Sequence, residues 1–276
     1  MSVGYRIHAI KVSTKREIRS TLYGVGIYVV LALIFLISSY VFVNSTLRSV
    51  ADAGIQALTN PITSPLFVSV GLAATYLGLC SSLSISRDRD LGTMEVLFYG
   101  PVDSISYVLG KYFHQLLAYL VILVFSLINF YAISLVTNVG FSIDILSIMF
   151  LSIFLTSCMV SFGILLSVST RRVIVSVVLF LALVLFFLVF SMVHTWIMSI
   201  AGQNLTPTMV YVRVILDNAN NFIKWISPVD YFLRGMSAVF RQDPGGYALS
   251  ILSSLIYSLV LLSLSVGMFQ RKGVRR

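Results

Sequence analysis

Val173-Ile-Val-Ser-Val-Val-Leu-Phe-Leu-Ala-Leu-Val-Leu-Phe-Phe-Leu-Val-Phe-Ser-Met-Val193 contains two serines and no charged residue. A helix needs about 20 mainly apolar residues to cross a bilayer. A charge at the centre of such a helix costs about 2.5–3.5 kcal/mol on insertion scales. Five more stretches read the same way: about 22–43, 65–85, 112–136, 145–168 and 248–269, with 173–198 as the fifth of six in chain order. None contains Asp, Glu, Lys or Arg.

The composition agrees with that pattern. Of the 276 residues, 58% are hydrophobic and 11% charged, and the mean hydropathy is +0.96. Soluble domains run near 25% charged, so this chain cannot cover its apolar surface in water. A soluble enzyme, a disordered chain and a disulfide scaffold are excluded. Cys80 and Cys158, the two cysteines, fall within apolar runs and read as small buried hydrophobes. The Leu22 to Val43 run is too long for the core of a cleavable signal and lacks a cleavage pattern after it.

Six spans put both termini on one side. That side would hold Arg6, Lys11, Lys15, Arg16 and Arg19, then Arg87, Arg89 and Lys111, then Arg171 and Arg172, and finally Arg271, Lys272, Arg275 and Arg276. These are fourteen of the 19 basic residues. The excess of basic residues predicts cytoplasmic termini in a multi-pass plasma (inner) membrane protein. The net charge of +9 is therefore read as a topology and anionic-lipid signal, not as nucleic-acid binding.

Three segments lie outside the spans. In residues 1–21, Val3, Ile7, Ile10, Ile18 and Leu22 fall near one helical face, which predicts an amphipathic helix at the inner surface. Residues 86–111 form the largest cytoplasmic loop, and residues 199–247 the largest external one. Intramembrane ionisable groups mark proton or ion paths. The only candidates, His114 and His194, lie near span ends with no carboxylate partner evident in sequence, which disfavours a proton-coupled transporter, an intramembrane protease or a metal-dependent lipid enzyme. Gly110-Lys111 is not a P-loop: Ile105 stands where the first Gly belongs, and Tyr112 where Mg²⁺ needs a hydroxyl from Ser or Thr. Asn44-Ser45-Thr46 and Asn204-Leu205-Thr206 match the glycosylation acceptor pattern, which is short and often matched by chance.

The cytoplasmic loop reads Ser86-Arg-Asp-Arg-Asp-Leu-Gly-Thr-Met-Glu-Val-Leu-Phe-Tyr-Gly-Pro-Val-Asp-Ser104 and runs on to Gly110-Lys111. Gly92-Thr93 can start a short helix, with Thr93 as N-cap and Glu95 in its first turn. Met94, Leu97 and Phe98 then form an apolar stripe. Gly100-Pro101 breaks the segment, and Asp103 or Ser104 can cap the helix that follows. A capped helix with a small apolar stripe suits either packing on its own chain or docking to a cytoplasmic partner.

At these residues the chain resembles the ABC-2 family of ABC-transporter permeases. Between their second and third spans these carry acid-basic-acid-x-Gly-Thr-x-Glu-x-Leu, then Pro, then Gly-Lys. The matching positions are Asp88, Arg89, Asp90, Gly92, Thr93, Glu95, Leu97, Pro101, Gly110 and Lys111. The leading acids are commonly Glu in the family and are Asp here. Arg16-Glu17 resembles the basic-Glu pair of the family's N-terminal amphipathic helix. Ser227-Pro228 and Gly235 resemble its motif before the last span.

The resemblance implies an all-α membrane protein: six transmembrane helices forming a permease domain over 22–276, a connecting helix at 1–21, a coupling helix at 92–99 that inserts into an ATPase, and re-entrant external helices before the last span, around 229–241. It implies a single-chain permease without a fused ATPase, acting as an exporter. Its partners would be separate ABC-type ATPase subunits, a second permease chain (the same or similar) and membrane lipids. ATP and Mg²⁺ would sit on the ATPase; this chain would bind no cofactor or metal and catalyse no hydrolysis. The alternative is an ATPase-coupled lever acting on an envelope partner without moving a solute. Outside the bilayer, residues 208–224 read as an interfacial helix, although Val210 to Val214 also fits a strand. Arg213, Trp225, Pro228 and Gly235 are candidates for contact with lipid or an external partner.

Overall fold

The computed structural model describes residues 3–53, 62–92, 103–137, 140–200 and 207–273. Among these, the chain forms nine helices and no strand. They are α1 (Val3–Tyr23), α2 (Val25–Ala53), α3 (Thr63–Asp90), α4 (Ser104–Thr137), α5 (Ile143–Ser169), α6 (Val173–Ser199), α7 (Pro207–Ile226), α8 (Pro228–Phe240) and α9 (Pro244–Gly273). Six are long and apolar enough to cross a membrane: α3 to α6, Val25–Asn44 of α2 and Pro244–Arg271 of α9. These are the six runs read from the sequence, most of them longer by several residues.

Helix α5 is the hub. Its apolar stretch is 72% buried, against 50% for α3 and 11% for α6. Helices α3, α4, α6, α8 and α9 all pack on it. Small residues let the backbones of α3 and α5 approach closely: a Cβ on Gly163 would collide with the Gly78 carbonyl and lie 2.9 Å from Ser81 Cβ. Close approach of small residues is the usual means of helix association where lipid removes the hydrophobic drive. Buried serines in this seam satisfy their hydroxyls on their own helix, Ser81 on the Leu77 carbonyl and Ser161 on the Ser157 carbonyl, each at 2.8 Å.

The outer helices bury one stripe and expose the rest. On α6 only Ser176 and Phe180 are buried, and Phe180 fills the space beside Gly78. Ile174, Val178, Leu185 and Phe186 are exposed, as expected of a face meeting hydrocarbon. The first helix and the end of the last both pack against the start of α4. Tyr107 near the start of α4 stacks on Phe269 near the end of α9, with ring centroids 5.5 Å apart, and α1 packs along the start of α4. Residues 208–224, read as an interfacial helix with Val210 to Val214 also fitting a strand, are helical within α7.

Replacing Gly163 by Ala forces α3 and α5 apart and lowers stability by about 2 kcal/mol, the cost of overpacking a tight core. Gly71→Ala, where a Cβ meets nothing within 4 Å, is neutral or stabilising by up to about 1 kcal/mol. Unfolding in detergent followed by circular dichroism reads both. Equal effects would contradict the close seam.

Candidate functional site

The last turn of α3 carries Asp88, Arg89 and Asp90, and each side chain reaches a different neighbour. Arg89 Nη1 donates to the Thr170 carbonyl at 2.8 Å and lies 3.4 Å from the Val168 carbonyl, at the C-terminal end of α5. Those carbonyls have no partner inside the helix, and a cation suits the negative end of its dipole. Asp90 Oδ2 accepts the Val173 N–H at 2.9 Å, the first orphan donor of α6. Deeper in the seam, Ser167 Oγ lies 3.1 and 2.9 Å from the Ile85 and Ser86 nitrogens, and Ser176 Oγ donates to the Ser82 carbonyl at 2.7 Å. The triplet thus ties α3 to the α5–α6 corner.

Asp88 faces the other way. Lys111 Nζ, on α4, sits 3.0 Å from Asp88 Oδ2 and 2.7 Å from Glu17 Oε1 on α1. The Lys111 side chain is only 11% exposed, so one cation is buried between two carboxylates from two other helices. Tyr107, one turn before Lys111, donates its hydroxyl to Asp88 Oδ2 at 2.5 Å. Thr21 Oγ1 lies 2.7 Å from His114 Nε2, and Thr14 Oγ1 donates to the Gly110 carbonyl at 3.3 Å. A Cβ on Gly110 would lie 3.3 Å from Ser13 Oγ, so glycine keeps α1 close to α4 here. The result is a polar clasp joining α1, α3, α4, α5 and α6 at the pole that holds the start of α4.

The structure brings Glu17, Asp88, Arg89, Asp90, Gly110 and Lys111 together. Asp88, Arg89 and Asp90 belong to α3 rather than to a loop, because they satisfy helix ends on both sides. Gly92 closes α3. It has φ +68°, and its N–H donates to the Arg89 carbonyl, a C-terminal turn that favours glycine. Arg16 points outward. Thr93, Met94, Glu95, Leu97, Phe98 and Pro101 lie outside the described residues.

Two expectations change. The sequence offered no carboxylate for either histidine, yet His114 Nδ1 lies 3.6 Å from Glu17 Oε2, and His194 Nε2 lies 3.6 Å from Asp217 Oδ1. Both partners are remote in sequence, so only folding reveals them. The stripe of α1 facing α4 is also more polar than expected, with Thr14, Glu17 and Thr21 inward and Ile7 61% exposed.

At the opposite pole, Arg213 of α7 donates to the Ile197, Met198 and Ile200 carbonyls and closes the end of α6. Tyr231 donates to the Trp225 carbonyl at 2.6 Å, and Tyr257 to the Ile226 carbonyl at 2.8 Å, so two phenols close the end of α7. Burial raises the Tyr231 pKa above its usual value. Arg234 lies over the Trp225 and Tyr231 rings at 5.9 and 5.7 Å, and Trp225 itself is 68% exposed. Pro228 opens α8, and a Cβ on Gly235 would collide with Leu151 of α5. Gly235 therefore works in packing α8 onto the hub, while Arg213 is used internally.

Sequence reading missed Thr14, Thr21 and Tyr107. Tyr107 had a local signal, its four-residue spacing from Lys111 on one helix. The threonines had none. Lys111→Met, which strands two buried carboxylates, lowers stability by about 3 kcal/mol. Glu17→Gln costs less, because Asp88 still balances Lys111. A double-mutant cycle on the Glu17–Lys111 pair then shows strong coupling. Additive losses would mean that the two side chains do not share a buried charge.

Comparison with curated proteins finds no match. Comparison with family descriptions finds one that covers most of the chain, "ABC-2 family transporter protein", over residues 49–274. The matched region holds all of α3 to α9 and the Asp88–Lys111 half of the clasp, while Glu17 lies before it. An ABC-2 family member is a multi-pass membrane permease of an ABC transporter, and in general such permeases work with an ABC ATPase. The chain belongs to the ABC-2 transporter family.

Proposed function

We propose that this chain is the permease subunit of an ATP-driven exporter, lying in the plasma (inner) membrane with both termini cytoplasmic. Separate nucleotide-binding subunits dock beneath it through residues 92–99, and ATP and Mg²⁺ bind there, not on this chain. A second permease chain completes the path.

The observation that carries this reading is the Lys111 clasp. Residues 93–102 join the end of α3 to the start of α4, and both of those ends are held in the clasp. A push on that segment acts on a single charge-locked block of five helices. Rigid-body displacement is how a docked motor moves packed helices, because a close-packed interior does not deform continuously.

The charge distribution supports the orientation. At the clasp pole Glu17, Asp88 and Asp90 are engaged with Lys111 and the α6 backbone. Lys11, Lys15, Arg16, Arg19, Arg87, Arg171 and Arg172 are exposed there. The surface is thus basic, as positive-inside topology requires. At the other pole α7 exposes Tyr211, Ile215, Phe222 and Trp225. This face suits the outer headgroup region, where Tyr and Trp concentrate, and α8 forms the re-entrant piece before the last span.

Co-purification from the native membrane tests the docking. Glu95→Arg or Leu97→Asp loses the ATPase, or loses its activation, while the chain still inserts. Arg89→Ala keeps the ATPase bound but weakens transport relative to hydrolysis, because it frees the α5–α6 corner from α3. Unchanged co-purification and hydrolysis in the Glu95 and Leu97 variants would contradict the docking role.

A further inference from the structure

Away from the clasp, α2 and α4 leave a groove of about 660 Å³ between them. That volume lies within the range of about 300–1,000 Å³ typical of small-molecule sites. The groove runs from Leu31 to Val43 on α2 and from Phe125 to Thr137 on α4. Twelve steps of about 1.5 Å give a length of about 18 Å. Half the hydrocarbon core of a bilayer is about 15 Å. The groove is therefore one leaflet deep, and it is walled by two helices whose outer faces are apolar and exposed.

Its lining carries no charge, but it is not uniformly apolar. Ser39, Ser126 and Asn129 are half-buried in its walls, and among the described residues none of the three finds a hydrogen-bond partner. Their neighbours behave differently. Ser38 donates to the Phe35 carbonyl at 3.1 Å, and Thr137, also in the lining, donates to the Ile133 carbonyl at 2.7 Å. Polar groups at membrane depth without partners are costly. Three that converge on one slot point to a ligand that satisfies them.

We infer that this groove binds a single-chain amphipathic lipid. Its hydrocarbon tail would lie along Leu31, Phe35 and Phe125, and an ester or hydroxyl oxygen would meet Ser126, Asn129 and Ser39. The absence of charge in the lining leaves an ionic head at the mouth, near Val43 and Thr137. Ser126 also lines a small inner cavity of about 10 Å³ beside Tyr119 and Ser152. A bound polar group at Ser126 is thus one side chain away from the hub helix. The lining offers no charged side chain to anchor an ionic group, and its walls face hydrocarbon, so a lipid is the occupant that this chemistry fits. The inference does not depend on the docking reading, since it concerns the opposite half of the bundle.

The test is photolabelling of the full chain, with its partner subunits, in phosphatidylcholine vesicles holding a lysophosphatidylcholine with a diazirine in its chain. Labels are mapped by peptide mass spectrometry. Adducts on 31–43 and 125–137 should saturate and be displaced by unlabelled lysophosphatidylcholine, while adducts on the exposed face of α6 rise linearly. Ala32→Trp with Ala132→Trp, both at exposed positions, should fill the groove and cut its adducts by about tenfold without changing those on α6. Asn129→Leu should weaken displacement. Non-saturating labels equal to those on α6 would show boundary lipid only and overturn the inference. A groove closed to label, with cysteines at Ala32 and Ala132 cross-linking between two chains, would overturn it in favour of a chain–chain interface.

Discussion

A buried ammonium between two carboxylates organises this molecule. Lys111 on α4 sits between Glu17 and Asp88, and removing the lysine would strand two carboxylates at the edge of a low-dielectric interior. Such an arrangement adds little net stability compared with well-packed apolar residues, but breaking one partner is costly. Its consequence is therefore positional. It fixes α1 against α4 and the end of α3 against both. Arg89 and Asp90 then extend the same lock to the ends of α5 and α6 through backbone groups those helices cannot satisfy themselves.

The rest of the bundle follows from a different economy. In lipid, helices gain little by hiding leucine, so α3 and α5 meet through Gly78, Gly163 and a run of serines. Leu77, Ile85, Ile148 and Ile164 are buried beside this seam, and Phe180 of α6 fills the space at Gly78. The hub is consequently rigid along its length, whereas α2 and α6 are attached by narrow stripes. A block locked at one pole and loosely clad elsewhere is suited to moving as a unit within the bilayer.

Much of this was legible in the sequence, and for a physical reason. Insertion penalties for charge are large and local, so six uncharged runs identify six spans, and the Asp88-Arg89-Asp90 triplet with Gly110-Lys111 marks the pole where the work is concentrated. What could not be read is what each charge touches. Glu17 and Lys111 are 94 positions apart, and His194 meets an aspartate on another helix; periodicity carries no trace of such pairs. The same limit applied to α1. Its apolar spacing places Ile7, Ile10, Ile18 and Leu22 near one face but carries no sign of the Glu17–Lys111 contact that α1 makes with α4. The positive φ of Gly92, which ends α3, is likewise a backbone feature that side-chain periodicity does not carry.

The central claim is that α1 and the α5–α6 corner move as one body when the motor closes. Spin labels at Arg16 and Arg171, both exposed, measure it directly by pulsed electron resonance on the full complex in vesicles. The account predicts a distance distribution between them that is the same without nucleotide and with ATP and Mg²⁺, and that broadens when Lys111 is replaced by Met. A nucleotide-dependent shift of several ångströms in the otherwise native chain would show that the clasp opens during the cycle and would contradict the account.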